Sequence, residues 1–289
     1  MEDIEKAGFL FFWEQADPNT GQVKDRALAA GNDTRTVSSI AATGFGLTAL
    51  CIGDQRGYQP SADISARVLA TLNFLLNTMQ PLGMNGFFYH FVDMTTGARA
   101  FNSEVSSIDT SILLCGVLMC RQHFSQDPQI PGLATQIYER VNWPWMLNGG
   151  TTFSQGWTPE SNFLQTRWDT YSELMMLYLL AMASPNAAFA IPASSWQALL
   201  LPRTNLHFLA EYTSLHTPVF TCLVRFPEQE RRLRRLLSEF HQGDNGASAV
   251  LPVARAAIFG LQRQPLGHQL FRLQEWLCGL GWAADDRPH

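Results

Sequence analysis

The sequence predicts an all-α fold of paired helices, and three observations carry that expectation. Apolar residues recur at helical spacing in several separate segments, clusters of Asp, Asn, Pro, Gly and Ser punctuate them, and a single short stretch, Phe87 to Val92, has the content of a strand. Helices of this kind bury their apolar stripes on one another, which favours stacked helical hairpins and argues against a parallel α/β sheet.

The elements follow in order. Glu2 to Gln15 collects Ile4, Phe9, Phe11, Phe12 and Trp13 and stops at the turn cluster Asp17-Pro18-Asn19-Thr20-Gly21. Val37 to Cys51 is rich in Ala and Gly, which permits close helix approach. Ser61 to Met79 spaces Ile64, Val68, Leu69, Leu72 and Leu75 helically and ends before Pro81. The strand-like stretch is followed by Thr95-Thr96-Gly97, so a small β-hairpin is expected near residues 87–100. Four further helices are expected over Ser107 to His123, Gly132 to Val141, Thr170 to Ala183 and Ala193 to Leu200.

Composition narrows the function. The 289 residues are 46% hydrophobic, enough for a sizeable core, and a net charge of -5 with 16% charged residues lacks the footprint of a nucleic-acid binder. Cys51, Cys115 and Cys120 sit in apolar runs and no CxxC pair exists, so neither a metal nor a redox cofactor is expected. The longest apolar stretch, Leu174 to Ala183, is half the length of a membrane span. The acidic start Met1-Glu2-Asp3-Ile4-Glu5-Lys6 lacks the basic segment of a signal peptide.

Chemistry concentrates at loop-to-helix junctions. The run Phe101 to Thr110 delivers Glu104 and Asp109 as the chain enters an apolar helix, and Ser106-x-x-Asp109 also fits an acidic capping box, which would leave Asp109 a structural task. In Thr166 to Glu173, Asp169 and Glu173 are spaced i, i+4 and would share a helical face. Glu173 directly precedes Leu174-Met175-Met176-Leu177, where burial would raise its pKa and suit it to general acid work. Phe87 or Phe88, and one of Trp143 or Trp145, are expected in the core. Trp157 and Trp168 lie in polar loops, as do platforms that stack on the apolar faces of sugar rings.

These blocks resemble a known family. Phe11-Phe12-Trp13, Val23-Lys24-Asp25-Arg26 and Val37 to Leu50, then Gly86-Phe87-Phe88-Tyr89-His90-Phe91, Ser103-Glu104, Ser107-Ile108-Asp109-Thr110, Gly156-Trp157-Thr158-Pro159-Glu160 and Trp168-Asp169-Thr170-Tyr171-Ser172-Glu173 are similar, in the same order, to the glucoamylase-like domain family. The resemblance covers nearly all of residues 2–199. It implies an (α/α)6 toroid, here incomplete, whose cleft binds glucans, with relatives among inverting endo-β-1,2-glucanases and modules of cyclic β-1,2-glucan synthases. An inverting enzyme needs a protonated carboxyl and an ionised one about 6.5 to 9.5 Å apart. The resemblance implies Glu104, Asp109 and Glu173 as the pool for that pair, with Glu104 the least secure because relatives are richer in Asp there. It further implies Asp25, Arg26, His90, Trp157, Glu160, Arg167, Trp168, Asp169 and Tyr171 as sugar-binding or carboxylate-holding residues. The implied partner is an oligo- or polysaccharide.

Beyond Leu199 the chain changes character. From Leu200 it has 10 arginines and no lysine, and the resemblance ends after Trp196. Back-translating Leu215 to Pro227 and reading one nucleotide later permits FTHQYSHAWFDFR. Leu266 to His268 likewise permit WGI, and Trp276 to Pro288 permit GYVxWGGPPTIGP; all three are family-like. The reading is that the encoding DNA lost register between Trp196 and Ser214, so that residues 200–289 are a non-native tail and the chain as written is impaired. A non-catalytic carbohydrate-binding or scaffold protein using the same cleft is the rival expectation. A helical interaction protein resting on Arg231, Arg232, Arg234 and Arg235 ranks last.

Overall fold

The computed structural model describes residues 2–31, 33–79, 84–170 and 172–198. Residues 199–289, with the frame-shift reading and the Arg-rich run, lie outside the described residues, as does Tyr171. Met1–Ala27 and Asn32–Leu201 form one compact unit, which holds the elements that follow.

The unit is helix-rich with three small antiparallel sheets. In chain order it runs α1 (Glu2–Glu14), β1 (Val37–Ser39), α2 (Ile40–Arg56), α3 (Ser61–Asn73), a π-helical turn (Phe74–Thr78), β2 (Phe88–Tyr89), β3 (Phe91–Asp93), β4 (Val105–Ser106) and α4 (Ser107–His123). It continues with α5 (Ile130–Glu139), α6 (Trp143–Leu147), β5 (Phe153–Ser154), β6 (Gly156–Thr158), β7 (Asn162–Phe163), β8 (Arg167–Trp168), α7 (Met175–Met182) and α8 (Ser194–Gln197). Among the described residues no helix is long and apolar enough to cross a membrane.

Helices α2 and α4 pack back to back, and glycine sets their separation. A methyl group on Gly44 would meet the backbone of Ile112 and Leu113 at 2.6–2.9 Å, and one on Gly116 would lie 2.1 Å from the Gly44 carbonyl oxygen. The Ala- and Gly-rich composition read from sequence therefore does serve close approach. Both helices are capped by serine: Ser39 Oγ accepts from Ala42 N at 3.4 Å, and Ser106 Oγ accepts from Asp109 N at 3.2 Å. At the far end of α3, the Arg140 guanidinium donates to the Leu75 and Leu76 carbonyls at 2.9 and 3.2 Å and lies over the Phe88 ring. Burial pulls its pKa down to about 10. That arginine meets the carbonyls a helix end leaves open.

Several expectations are corrected. Val37–Ser39 is a strand that ends in the serine cap of α2, not helix. The Phe87–Val92 strand breaks at His90 into β2, which joins the four-stranded sheet β2-β4-β6-β7, and β3, which pairs with β1. Of the hairpin expected near residues 87–100, a single bridge forms, Val92 with Arg99, closed by Asp93 accepting from the N–H groups of Thr95 and Thr96. The helix expected from Thr170 starts only at Met175, because Arg167–Trp168 pairs with Phe153–Ser154 and holds the preceding chain extended. Asp169 and Glu173 therefore do not share a helical face.

The core lies between α4, α5, α7 and β5. Leu174 to Ala183 are all buried, and Trp143, Tyr138, Tyr178, Phe87, Phe88 and Phe153 are the largest fully buried side chains. Trp143 is thus the core tryptophan and Trp145 is left partly exposed. Buried phenols need partners: Tyr138 donates to Leu180 O at 2.8 Å. Tyr178 donates to Trp168 O at 2.8 Å while accepting from Phe153 N, which ties α7 to β5 and β8.

Candidate active site

The break at His90 is what builds the site. Its N–H donates to Glu104 O at 2.9 Å and its carbonyl accepts from Ile40 N at 3.1 Å, so the backbone is held by the Glu104 loop on one side and the mouth of α2 on the other. The ring then spans two carboxylates. Nδ1 lies 3.0 Å from Glu104 Oε1 and Nε2 lies 3.7 Å from Asp109 Oδ1.

Asp109 sits in the first turn of α4, 8% exposed. Its Oδ2 accepts a short hydrogen bond from the hydroxyl of Ser106, the same serine that caps the helix. The capping pattern is therefore present, yet it leaves the other carboxylate oxygen to His90. Burial pushes the Asp109 carboxyl up, against the pull of His90. Glu104 behaves oppositely: its hydrogen bond with His90 holds it below the usual 4.5. For His90 itself burial is the largest influence and pulls down. The Glu104 bond and the charges of Asp109, Glu104 and Asp25 together outweigh it, so the imidazole lies above its ordinary 6.5.

Glu173 precedes α7, half-buried, and its pKa is raised first by burial and then by the charge of Asp109. The carboxyl of Glu173 thus feels the charge of Asp109 from the other junction. His90, Glu104 and Asp109 also offer one ligand atom each within 4.8 Å of one another. The ring presents different nitrogens to the two carboxylates: Nδ1 is hydrogen-bonded to Glu104, and Nε2 faces Asp109 at ion-pair distance.

The remaining residues fall into two groups. Trp168 reaches the start of α4, its Nε1 donating at 3.0 Å to Ser107 Oγ, two residues before Asp109. Trp157 lies opposite Val105 across the sheet and tilts against Trp145 at 5.9 Å, forming a half-exposed aromatic wall with Phe163. Asp25 acts on His90 through its charge and accepts from Arg26 Nε at 2.6 Å, leaving the rest of that guanidinium exposed. By contrast Arg167 spends its guanidinium on Leu147 O, Thr152 O and Thr152 Oγ1, which braces a loop. Exposed Asp169 accepts from Thr170 Oγ1. Glu160 is 58% exposed and pairs with Arg99 at 2.6 Å.

Arg99 is the residue that motif reading passed over. Besides Glu160 it donates to Ser103 O and Asn102 O, both at 2.6 Å, fastening the loop that carries Glu104 to the β6–β7 turn. Nothing local to Arg99 reveals a partner 61 residues away. Gly156 is the second omission: a methyl there would meet Glu104 Cγ at 2.6 Å and Val105 O at 2.8 Å. Gly156→Ala is accordingly expected to push Glu104 off His90, and an NMR titration of the chain should show the His90 pKa falling.

The paired shifts also set a pH profile. Glu104, depressed, stabilises the fold above about 4.5 and loses that contribution as pH falls through its lower folded value. His90, raised, contributes fully below 6.5 and loses it as pH rises through its higher folded value. His90→Gln should therefore lower the melting temperature most between about pH 4.5 and 6.5, with a smaller difference at pH 9. A difference independent of pH would contradict the bridge.

No known family model matches the chain. Over 198 residues it is 27% identical to an exo-β-1,2-glucooligosaccharide sophorohydrolase (non-reducing end) of Parabacteroides distasonis, a match covering 64% of this chain and 26% of that protein. The chain is similar to bacterial β-1,2-glucanases. An endo-β-1,2-glucanase from Chitinophaga pinensis, solved with sophorotriose and glucose, superposes with a TM-score of 0.59 at 27% identity, covering 68% of this chain and 49% of the enzyme. A β-1,2-glucanase structure from Parabacteroides distasonis gives 0.62 at 24% identity over 75% of this chain and 31% of its own, which speaks to the fold alone. The chain thus spans less than half the length of each of these relatives.

Proposed function

We propose that residues 1–199 are the first part of an (α/α)6 toroid and carry the cleft of a glycoside hydrolase acting on β-1,2-glucan or a related β-glucoside by inversion. The observation that carries this is the separation of carboxyl environments around His90. The hydrogen bond with the imidazole draws Glu104 below its ordinary value, while burial raises Asp109 and Glu173 above theirs. Environments that push neighbouring carboxyls apart in pKa are how one site supplies both an acid and a base at the same pH.

In this reading Glu173 is the general acid, protonating the leaving glycosidic oxygen, and an ionised carboxylate activates water on the opposite face of the ring. Glu104, whose pKa is lowered by its hydrogen bond to His90, is the carboxylate best suited to that base role. Asp109 tunes both: its charge raises Glu173, and it shares His90 with Glu104. Trp157 and Trp168 wall the sugar site. The similarity to β-1,2-glucan hydrolases supports the substrate class.

Residues 200–289 are proposed to be a frame-shifted tail. Reading the nucleotides across codons 195–215 tests this, and an intact register there with no family-like alternative would sink it. With the register restored, release of reducing sugar from β-1,2-glucan, lost in Glu173→Gln while glucan binding persists, is the result expected of the hydrolase. Binding without release from the unsubstituted protein would make it a carbohydrate-binding protein instead.

A further inference from the structure

Phe101 is placed where neither folding nor backbone preference accounts for a phenyl ring. It is 76% exposed, so it buries little, and its φ of +54° is a left-handed conformation in which bulky residues are outliers. Asn102 follows at φ +50°, a value that suits asparagine and not phenylalanine. The turn is held from outside: Arg99 grips the Asn102 and Ser103 carbonyls, and Ser103 Oγ exchanges hydrogen bonds with the backbone of Phe91.

The ring is also continuous with the carboxylates. Phe101 meets Phe91 edge to face at 5.8 Å, Phe91 stacks on the His90 ring at 3.9 Å, and His90 bridges Glu104 and Asp109. One face of an exposed aromatic thus stands at the end of an aromatic line leading from the reacting groups, three residues before Glu104. The Arg99–Glu160 pair and exposed Asn102 border it with polar groups.

We propose that Phe101 is the platform of an outer glucosyl subsite, stacking on a sugar ring of the bound glucan beyond the scissile bond. The chemistry fits a β-glucosyl unit: its equatorial hydroxyls leave axial C–H groups on both ring faces for the phenyl, while the rim hydroxyls meet the polar border. The inference rests on the reading of the cleft as a glucan site and adds a residue to it.

The test uses the protein with the register restored after Trp196 and a β-1,2-linked glucotriose as probe, with affinity by calorimetry and melting temperature measured together. Phe101→Asn removes the ring and installs a residue at ease with positive φ; it should weaken the trisaccharide roughly tenfold without lowering the melting temperature. Phe101→Trp, which keeps an aromatic face, should bind within about threefold of the unsubstituted chain. Unchanged affinity in Phe101→Asn overturns the subsite alone. A lowered melting temperature in that variant makes Phe101 a packing residue and overturns it equally. No binding by the unsubstituted, register-restored protein overturns the glucan reading beneath it.

Discussion

Replacing Glu173 by Gln should sharply slow glucan hydrolysis, and either that change or Asp109→Asn should stabilise the fold at alkaline pH. With the register restored after Trp196, loss of a positioned proton donor is expected to lower kcat by roughly 10²–10⁴-fold. Glu173→Gln keeps the shape and the hydrogen-bonding reach, so KM should move little. The stability arm has a definite sign. A carboxyl whose folded pKa is raised keeps its proton longer in the folded state than in the unfolded chain, so stability falls as pH climbs past the ordinary carboxylate range. Both Asp109 and Glu173 are raised by burial. Removing either ionisation should therefore lift the melting temperature at pH 8 and have little effect at pH 4. A residue whose replacement costs activity and stability together would be a structural acid, and the proposed assignment would fail.

The second large effect is steric. Gly116→Ala should destabilise the chain by about 3 kcal/mol or more, a fall in melting temperature on the order of 6–12 °C for a domain of this size. The added methyl would sit 2.1 Å from the Gly44 carbonyl oxygen, on a second helix that cannot rotate away as a flexible side chain can. Gly8→Ala in α1 is the matched control, since nothing lies within 4 Å of its added methyl. There the gain in helix propensity should stabilise by up to about 1 kcal/mol. Opposite signs at two helical glycines, read by thermal melts, separate packing from propensity. Equal effects would mean that α2 and α4 do not approach as described.

Legibility from sequence followed the range of the interactions. Helix α4 runs from Ser107 to His123 as its apolar pattern and Ser106 cap indicate, because both signals are local. Strands of two or three residues leave no alternation to read, so the sequence pattern does not reveal β4 to β8 and places the start of α7 five residues early. Glu104, Asp109 and His90 could be nominated from their blocks, but their union depends on the chain changing sheets at His90, a tertiary event. Arg167 illustrates the converse. A guanidinium beside a tryptophan looks like a sugar ligand until the carbonyls of Leu147 and Thr152 are found on it.

The main-chain anchoring of His90 has a mechanical consequence. With the His90 backbone held at its N–H and its carbonyl and its ring stacked on Phe91, main-chain hydrogen bonds place the imidazole between the side chains of Glu104 and Asp109.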